Sequence, residues 1–214
     1  MVDLSRMGLN FGDDLLERQD LSDDPYQQFE SWFQAAVKQY PDAANMMTLA
    51  TADQSARPSA RIVLLKAYDH NGFVFYTNYN SRKGLELATN PQAALLFFWP
   101  KCHRQIRIEG KIIKTSAAES DAYFASRPKS SQIGALTSAQ SQVIENYTDL
   151  TQQFQILTEQ YADQATLKRP DHWGGYRLIP SWYEFWQGGY HRLHHRFAYT
   201  LQKDGNWLIE RLAP

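Results

Sequence analysis

The chain contains a single cysteine, Cys102, in 214 residues. An internal disulfide is therefore excluded, and a reducing compartment fits the count. Long apolar runs are missing too: the most hydrophobic stretch, "AALLFFW", is far too short to span a bilayer, and the opening "MVDLSRMGLNFGDD" lacks the apolar core of a signal peptide. A cytoplasmic protein with no membrane attachment is expected. Charge of one sign is also lacking. Lys and Arg total 22 against 23 Asp and Glu, for a net charge of −1, so no global field recruits nucleic acid or an anionic surface, and any anion site must be built locally. No repeat, low-complexity tract or linker interrupts the text. The first 23 residues are polar and without clear period, which reads as a flexible N-terminal arm before a single domain over 24–214.

What is present is an ordinary globular balance, 43% hydrophobic and 21% charged in 24.7 kDa, enough for one substantial core. Asp24-Pro25 supplies a cap and a first-turn proline, and Phe29, Phe33, Ala36 and Tyr40 recur at helical spacing. From Met46 the period shortens. "MTLATAD", "SARIVLLKAY", "GFVFYTN", "QAALLFFWP" and "RQIRIEGKII" are short runs rich in β-branched and aromatic residues, separated by turn signals such as His70-Asn71-Gly72. Ile106, Ile108 and Ile112 alternate with Gln105, Arg107 and Lys111, as in a strand with one wet face. Such close succession argues for an antiparallel sheet in a mainly β protein with flanking helices (α+β), not a βαβ fold. Ser116 to Glu119 forms a capping box for a helix ending near Ser126, since Pro128 disfavours helical geometry at Arg127. Val143, Tyr147, Leu150, Phe154, Leu157 and Tyr161 predict a longer amphipathic helix. "GGYRLIP", "WYEFWQ", "RFAYTL" and "NWLIERL" return to strand, completing the earlier sheet.

Four stretches carry chemistry. In "NYNSRKGLELATNP", Ser81 can cap a helix whose first turn holds Arg82 and Lys83. Cations there oppose the helix dipole unless an anion binds, so the stretch reads either as a phosphate site or as two solvated cations. Arg61 and Lys66 lie five apart, which on a regular strand points them to opposite faces; a bulge, two ligands or two subunits would each reconcile them, and charged ends on an edge strand are the plainer reading. "YFASRPKSSQIG" sets Tyr123 and Arg127 at i and i+4, with Ser131 in the loop beyond, a second plausible phosphate cradle. "YEFWQGGYHRLHHRF" places Trp186 beside Gly188-Gly189, and on extended chain Arg192, His194 and Arg196 share one face, suiting a flat, partly anionic aromatic ligand. Its three His do not align on any regular element, which argues against zinc, and no G-x-S-x-G elbow supports a hydrolase.

On "RIVLLK", "VFYTNYNSRK", "YFASRPKSSQIGA", "EFWQGG", "HRLHHR" and "RLAP", residues 24–214 resemble pyridoxine (pyridoxamine) 5′-phosphate oxidase. The resemblance implies an FMN-binding split β-barrel that forms a homodimer. It implies FMN contacts from Arg61, Ile62, Val63, Leu64, Leu65, Lys66, Tyr76, Thr77, Arg82, Lys83, Gln105, Gln140, Ser141, Trp186 and Arg196. Substrate would meet Lys66, Tyr123, Arg127 and Ser131 at its phosphate and Arg192 and His194 at its pyridine ring, the last two being the catalytic candidates. The implied reaction oxidises pyridoxine or pyridoxamine 5′-phosphate to pyridoxal 5′-phosphate, passing a hydride from C4′ to the flavin, which O2 reoxidises with release of H2O2. Relatives carry an Arg and a Tyr in the N-terminal arm, where this chain has only Phe11 near the Tyr position; their acid before "MTLATA" falls at or near Ala43, with Asp42 adjacent, and their acid after "RLH" is His195 here. These departures bear on lid closure, substrate affinity and rate, and little on FMN. An FMN- or B6-phosphate-binding split-barrel protein with little or no turnover is the alternative. A split-barrel reductase using NAD(P)H is disfavoured by the intact "RPKSS" and "HRLHHR".

Overall fold

The computed structural model describes residues 2–4, 8, 11, 12 and 14–214. The remaining positions of the expected arm lie outside the described residues. Among the described residues the α-helices are α1 (Pro25–Gln39), α2 (Arg82–Thr89), α3 (Ala117–Ser126), α4 (Lys129–Thr137) and α5 (Tyr147–Gln160). The strands among those residues are β1 (Met46–Ala52), β2 (Pro58–Leu64), β3 (Ala67–Asp69), β4 (Gly72–Asn78), β5 (Gln92–Trp99), β6 (Arg104–Lys114), β7 (Trp173–Gln187), β8 (His195–Leu201) and β9 (Trp207–Leu212). They hydrogen-bond in the order β2-β1-β5-β6-β7-β4-β3, with β8 beside β7 and β9 beside β8. The β3–β4, β4–β7, β7–β8 and β8–β9 ladders are all antiparallel, as the short connections predict for all but β4–β7, whose strands are far apart in the chain.

The capping signals hold at atomic level. Asp24 accepts the Tyr26 N–H at 2.9 Å, Ser81 accepts that of Gly84 at 3.4 Å, and Ser116 accepts that of Glu119 at 3.1 Å. The return arm of the Ser116 box is diverted, because the Glu119 carboxylate accepts from Arg177 at 3.1 Å. Four readings change. "SARIVLLKAY" is two strands, β2 and β3, separated at Leu65-Lys66. "GGYRLIP" and "WYEFWQ" are one strand, β7, because Pro180 falls between its ladder to β4 (Trp173–Leu178) and its ladder to β8 (Trp182–Gln187), where its missing N–H removes a bond from neither. The loop expected after Arg127 is helix α4, with Pro128 at its cap position, so one proline that stops α3 also starts the next helix. The last helix begins at Tyr147, where Asn146 accepts the Thr148 N–H at 2.8 Å; Val143 lies outside it and is 97% exposed.

The chain divides into two compact units, one of Met1–Thr48, Ala94–Glu109 and Pro180–Pro214, the other of Leu49–Ala93 and Gly110–Ile179. The core of the first is aromatic: Phe29 meets Phe97 edge-on at 5.3 Å, Trp32 meets Phe185 at 5.4 Å, and Phe185 meets Tyr199 at 5.3 Å. Leu16 and Leu21, within the polar text read as an arm, are buried here. Arg211 donates to the Leu16 carbonyl at 3.2 Å and the Tyr199 hydroxyl to that of Ser22 at 2.7 Å. These are long-range bonds, invisible to local periodicity.

The second unit buries Phe73, Val74, Phe75, Tyr176 and Leu178 across the β4–β7 ladder. A satellite cluster of Phe124, Ile133, Leu167 and Trp173 takes Phe154 and Leu157 of α5 against it. Gly84 is required by close approach, since a Cβ there would stand 2.1 Å from the Tyr79 carbonyl oxygen. Gly84→Ala is therefore expected to lower stability by about 2 kcal/mol through overpacking against backbone, read as a drop in urea midpoint. An unchanged midpoint would show that the turn yields freely.

Candidate functional site

A cavity of about 630 Å³ opens in the second unit. The interruption between β2 and β3 puts both Arg61 and Lys66 on its lining, so the opposed parity expected of a continuous strand does not apply. Ile62, Val63 and Leu64 line it with them, whereas Leu65 is buried away from it. β4 contributes Tyr76 and Thr77, α2 contributes Lys83, and Gln140 comes from the loop after α4.

Lys83 Nζ donates to Thr77 Oγ1 at 3.2 Å, Ser81 Oγ at 3.3 Å and Gln140 Oε1 at 3.0 Å. All three acceptors are neutral. Burial, then repulsion from Arg61, pushes the Lys83 amine below the usual lysine range, and Glu86 only partly offsets this. Such a cation lacks an anion rather than a hydrogen bond.

Arg61 is held from behind. It donates to the Leu49 carbonyl at 3.2 Å, to the hydroxyls of Thr51 and Ser59, and to Glu86 at 3.2 Å. Glu86, 6% exposed, also accepts from Ser59 at 2.7 Å and from Arg82 at 2.9 Å, and from the Thr51 hydroxyl. Burial pushes the Glu86 carboxyl up, but the hydrogen bonds from Thr51, Ser59, Arg82 and Arg61 outweigh it and hold the group at about 2. Sequence reasoning passed over Glu86. Its i+4 spacing from Arg82 was a legible signal; its meeting with Thr51, Ser59 and Arg61 was not.

Tyr123, Arg127 and Ser131 line the same cavity, Ser131 from the first turn of α4 rather than from a loop. Arg127 Nη1 is buried with no hydrogen-bond partner. Burial pushes the phenol of neighbouring Tyr76 up to about 12, with Glu119 and Tyr123 adding to the effect, so it remains a neutral hydroxyl at neutral pH. Arg82 and Ser141 are not brought to this cavity; they line a separate depression with Asp53, Arg57 and Glu86.

The remaining candidates lie in the first unit. Trp186 pairs with Arg196 across the β7–β8 ladder. Arg196 donates to Glu184 at 2.8 Å and to the Ala213 carbonyl at 2.8 Å, and the Glu184 bond raises its pKa. Glu184, 2% exposed, also accepts from Arg107 at 3.1 Å. The sequence reading missed it as well, because a single acid among aromatics carries no spacing signal. Gln105 stands half-buried on β6.

Arg192 and His194 do not share an extended face with Arg196. His191 and Arg192 have φ of 54° and 64°, and β8 begins only at His195. The left-handed turn presents Arg192 to solvent and folds the His194 ring back to 4.6 Å from that of Trp186. His194 Nδ1 accepts the Gly189 N–H at 3.2 Å, which leaves Nε2 to carry the proton of the neutral ring. Burial, then the charges of Arg192, Arg196 and His195, lowers its pKa. Phe11 packs edge-on against Trp186 at 5.2 Å, His103 at 5.5 Å and His194 at 5.6 Å. A Cβ at Gly188 would stand 2.5 Å from its ring, so Phe11 depends on glycine there. Among the described residues no group of three or more His, Cys, Asp or Glu is placed to hold a metal.

Residues 33–161 match the family model described as "Pyridoxamine 5'-phosphate oxidase", and residues 173–214 match that described as "Pyridoxine 5'-phosphate oxidase C-terminal dimerisation region". The chain belongs to the pyridoxine/pyridoxamine 5′-phosphate oxidase family. Family relatives from Paraburkholderia phytofirmans and Burkholderia lata, both named "Pyridoxine/pyridoxamine 5'-phosphate oxidase", are 52% and 51% identical, each over 100% of both chains. Among solved structures, PhzG from Burkholderia lata 383, in complex with tetrahydrophenazine-1-carboxylic acid, superposes with a TM-score of 0.87 at 28% identity, covering 95% of this chain and 100% of its own. A pyridoxamine 5'-phosphate oxidase-related, FMN binding protein from Nostoc punctiforme PCC 73102 has a TM-score of 0.70 at 16% identity, covering 91% and 100%, a likeness of fold. The split-barrel fold expected from the resemblance is the one observed. Family membership makes the protein an oxidoreductase with a C-terminal dimerisation region. Among the described residues, no helix is long and apolar enough to cross a membrane.

Proposed function

We propose that the protein, as a cytoplasmic homodimer, uses FMN to oxidise pyridoxine 5′-phosphate and pyridoxamine 5′-phosphate to pyridoxal 5′-phosphate. With the alcohol, O2 is consumed and H2O2 released; with the amine, O2 and water are consumed and ammonia and H2O2 released. One observation carries this reading: the cavity lining has four cationic side chains, Arg61, Lys66, Lys83 and Arg127, and no carboxylate. A cluster of that kind in a partly desolvated space, in which Arg61 alone has a carboxylate within salt-bridge distance among the described residues, favours anionic ligands.

The residues suit two phosphate esters. Lys83, Thr77 and Gln140, with Arg61 braced by Glu86, would hold the phosphate of FMN. Tyr123, Arg127 and Ser131, with Lys66, would hold that of the substrate. By the family resemblance, Gln105, Trp186 and Arg196 would meet the flavin ring, and Arg192 and His194 the pyridine. Bound FMN supplies the hydride acceptor that O2 restores. The protein's part is placement and charge: Arg192 as a cation orienting the pyridine ring, and His194 as a neutral donor through Nε2, since its lowered pKa leaves it uncharged at neutral pH.

Anaerobic mixing of FMN-loaded protein with pyridoxine 5′-phosphate should bleach the flavin absorbance. Admission of O2 should restore it, with one H2O2 per pyridoxal 5′-phosphate. Bound flavin that never bleaches would select the binding protein without turnover, and failure to take up FMN would end both readings. The likeness to PhzG favours a second reading, oxidation of a reduced, carboxylated tricycle. Bleaching by a tetrahydrophenazine carboxylic acid and not by pyridoxine 5′-phosphate would select it.

A further inference from the structure

Arg127 ends α3 and enters the cavity with neither a carboxylate partner nor a bond to Nη1 among the described residues. What it does have is a ring beneath it. Its guanidinium carbon lies 4.6 Å from the centre of the Trp173 ring and 5.7 Å from that of Phe124. The Trp173 ring is parallel to that of Tyr123 within 7° at 6.2 Å, and to that of Tyr76 within 12° at 5.6 Å. Tyr76 and Tyr123 are themselves stacked at 3.8 Å.

Trp173 is 7% exposed and is locked at both ends of its backbone. Its N–H donates to the Pro170 carbonyl at 3.0 Å, and its carbonyl accepts from Arg169. It opens β7 in register with Asn78, so its ring sits on a rigid ladder rather than on a loop. A guanidinium stacked on an indole keeps all its N–H groups in its own plane, free for an anion at the edge. A carboxylate partner would instead occupy those donors and cancel the charge.

We propose that Trp173 is the positioning residue of the substrate-phosphate site, fixing the plane of Arg127 so that the unpartnered guanidinium edge meets the phosphate. This rests on the oxidase reading above. Its consequence is a division of labour: Trp173 sets how tightly a phosphorylated substrate is held and leaves the oxidation step unaltered.

The test uses FMN-loaded full-length protein carrying Trp173→Leu, Trp173→Phe, Arg127→Lys, and the doubles of each Trp173 variant with Arg127→Lys. Steady-state kinetics with pyridoxine 5′-phosphate is paired with calorimetric titration of inorganic phosphate. Trp173→Leu should raise KM about tenfold and weaken inorganic phosphate by a similar factor, with kcat within about twofold and flavin content unchanged. Trp173→Phe, which restores a ring face, should return both constants to within about threefold of native. In the Arg127→Lys background either Trp173 substitution should add little, because a residue acting through Arg127 has nothing left to position.

Equal losses for Leu and Phe, an unchanged KM in Trp173→Leu, or full additivity with Arg127→Lys would overturn the proposal. Should Trp173→Leu not fold, the Phe variant and its double with Arg127→Lys decide by the same additivity. If native protein fails to oxidise the substrate, while Trp173→Leu still weakens inorganic phosphate and Phe restores it, the oxidase reading fails and the positioning role stands.

Discussion

Lys83→Met protein is expected to emerge from purification without flavin colour, with its dissociation constant for FMN raised about 100-fold, the scale of one charge-assisted hydrogen bond to a phosphate in a partly desolvated site. The native amine makes three bonds, all to neutral oxygens of Thr77, Ser81 and Gln140, and shares its surroundings with Arg61. Methionine keeps most of the length and the apolar stem and removes the ammonium, with its charge and its three donated hydrogen bonds. Quenching of flavin fluorescence on titration into apoprotein measures the constant, and a value within threefold of native would remove Lys83 from the phosphate site. A pH consequence follows from the same environment. The pKa of Lys83 is lowered, chiefly by burial, so the charged form that attracts phosphate is lost earlier on the alkaline side than for an ordinary lysine. FMN affinity should weaken with rising pH in native protein, and Lys83→Met should show no such limb.

Glu86→Gln should destabilise the native protein by about 3 kcal/mol, the cost of leaving a partly buried cation without its counter-charge. For a chain of this size that corresponds to a fall of about 6–12 °C in Tm. Arg61, 19% exposed, has no other acid within salt-bridge distance among the described residues, and glutamine preserves shape while removing the charge that both Arg61 and Arg82 share. The acid limb provides a second measurement. Glu86 in the folded protein titrates at about 2, below the value of about 4.3 for an unfolded glutamate. The folded state therefore binds fewer protons, the stabilisation is complete above the unfolded value, and it fades as pH falls from about 4.3 towards 2. Urea midpoints measured across that window should decline less steeply for Glu86→Gln than for native protein. Parallel declines would show that Glu86 is not the group responsible.

How much of the site was legible before folding differs from residue to residue for physical reasons. The Ser81 cap places Lys83 and Arg82 in the first turn of α2, a local pattern that the structure keeps. The cap could not say that Lys83 would face the cavity while Arg82 turned to Glu86 and a different depression. The local text around Ser131 marks its chemistry but not its helix, because Pro128 both ends α3 and precedes α4. The alternation that puts Arg192 and His194 on one extended face fails because His191 and Arg192 are left-handed.

The amino-acid sequence by itself determined the helix starts at Pro25, Arg82 and Ala117, the mainly antiparallel character, the exclusion of an internal disulfide, and the motifs that mark the family. All of these depend on neighbours within a few residues, or on composition. Only the tertiary structure decided that Arg61 and Lys66 share one cavity, that Glu86 and Glu184 each gather two arginines, that Leu16 and Leu21 are buried, and that Trp173 lies under Arg127. The deciding partners, Arg61 for Glu86, Arg107 for Glu184 and Trp173 for Arg127, lie tens of positions away in the chain, and no local propensity encodes which distant side chain will supply a buried charge with its partner or a cation with its ring.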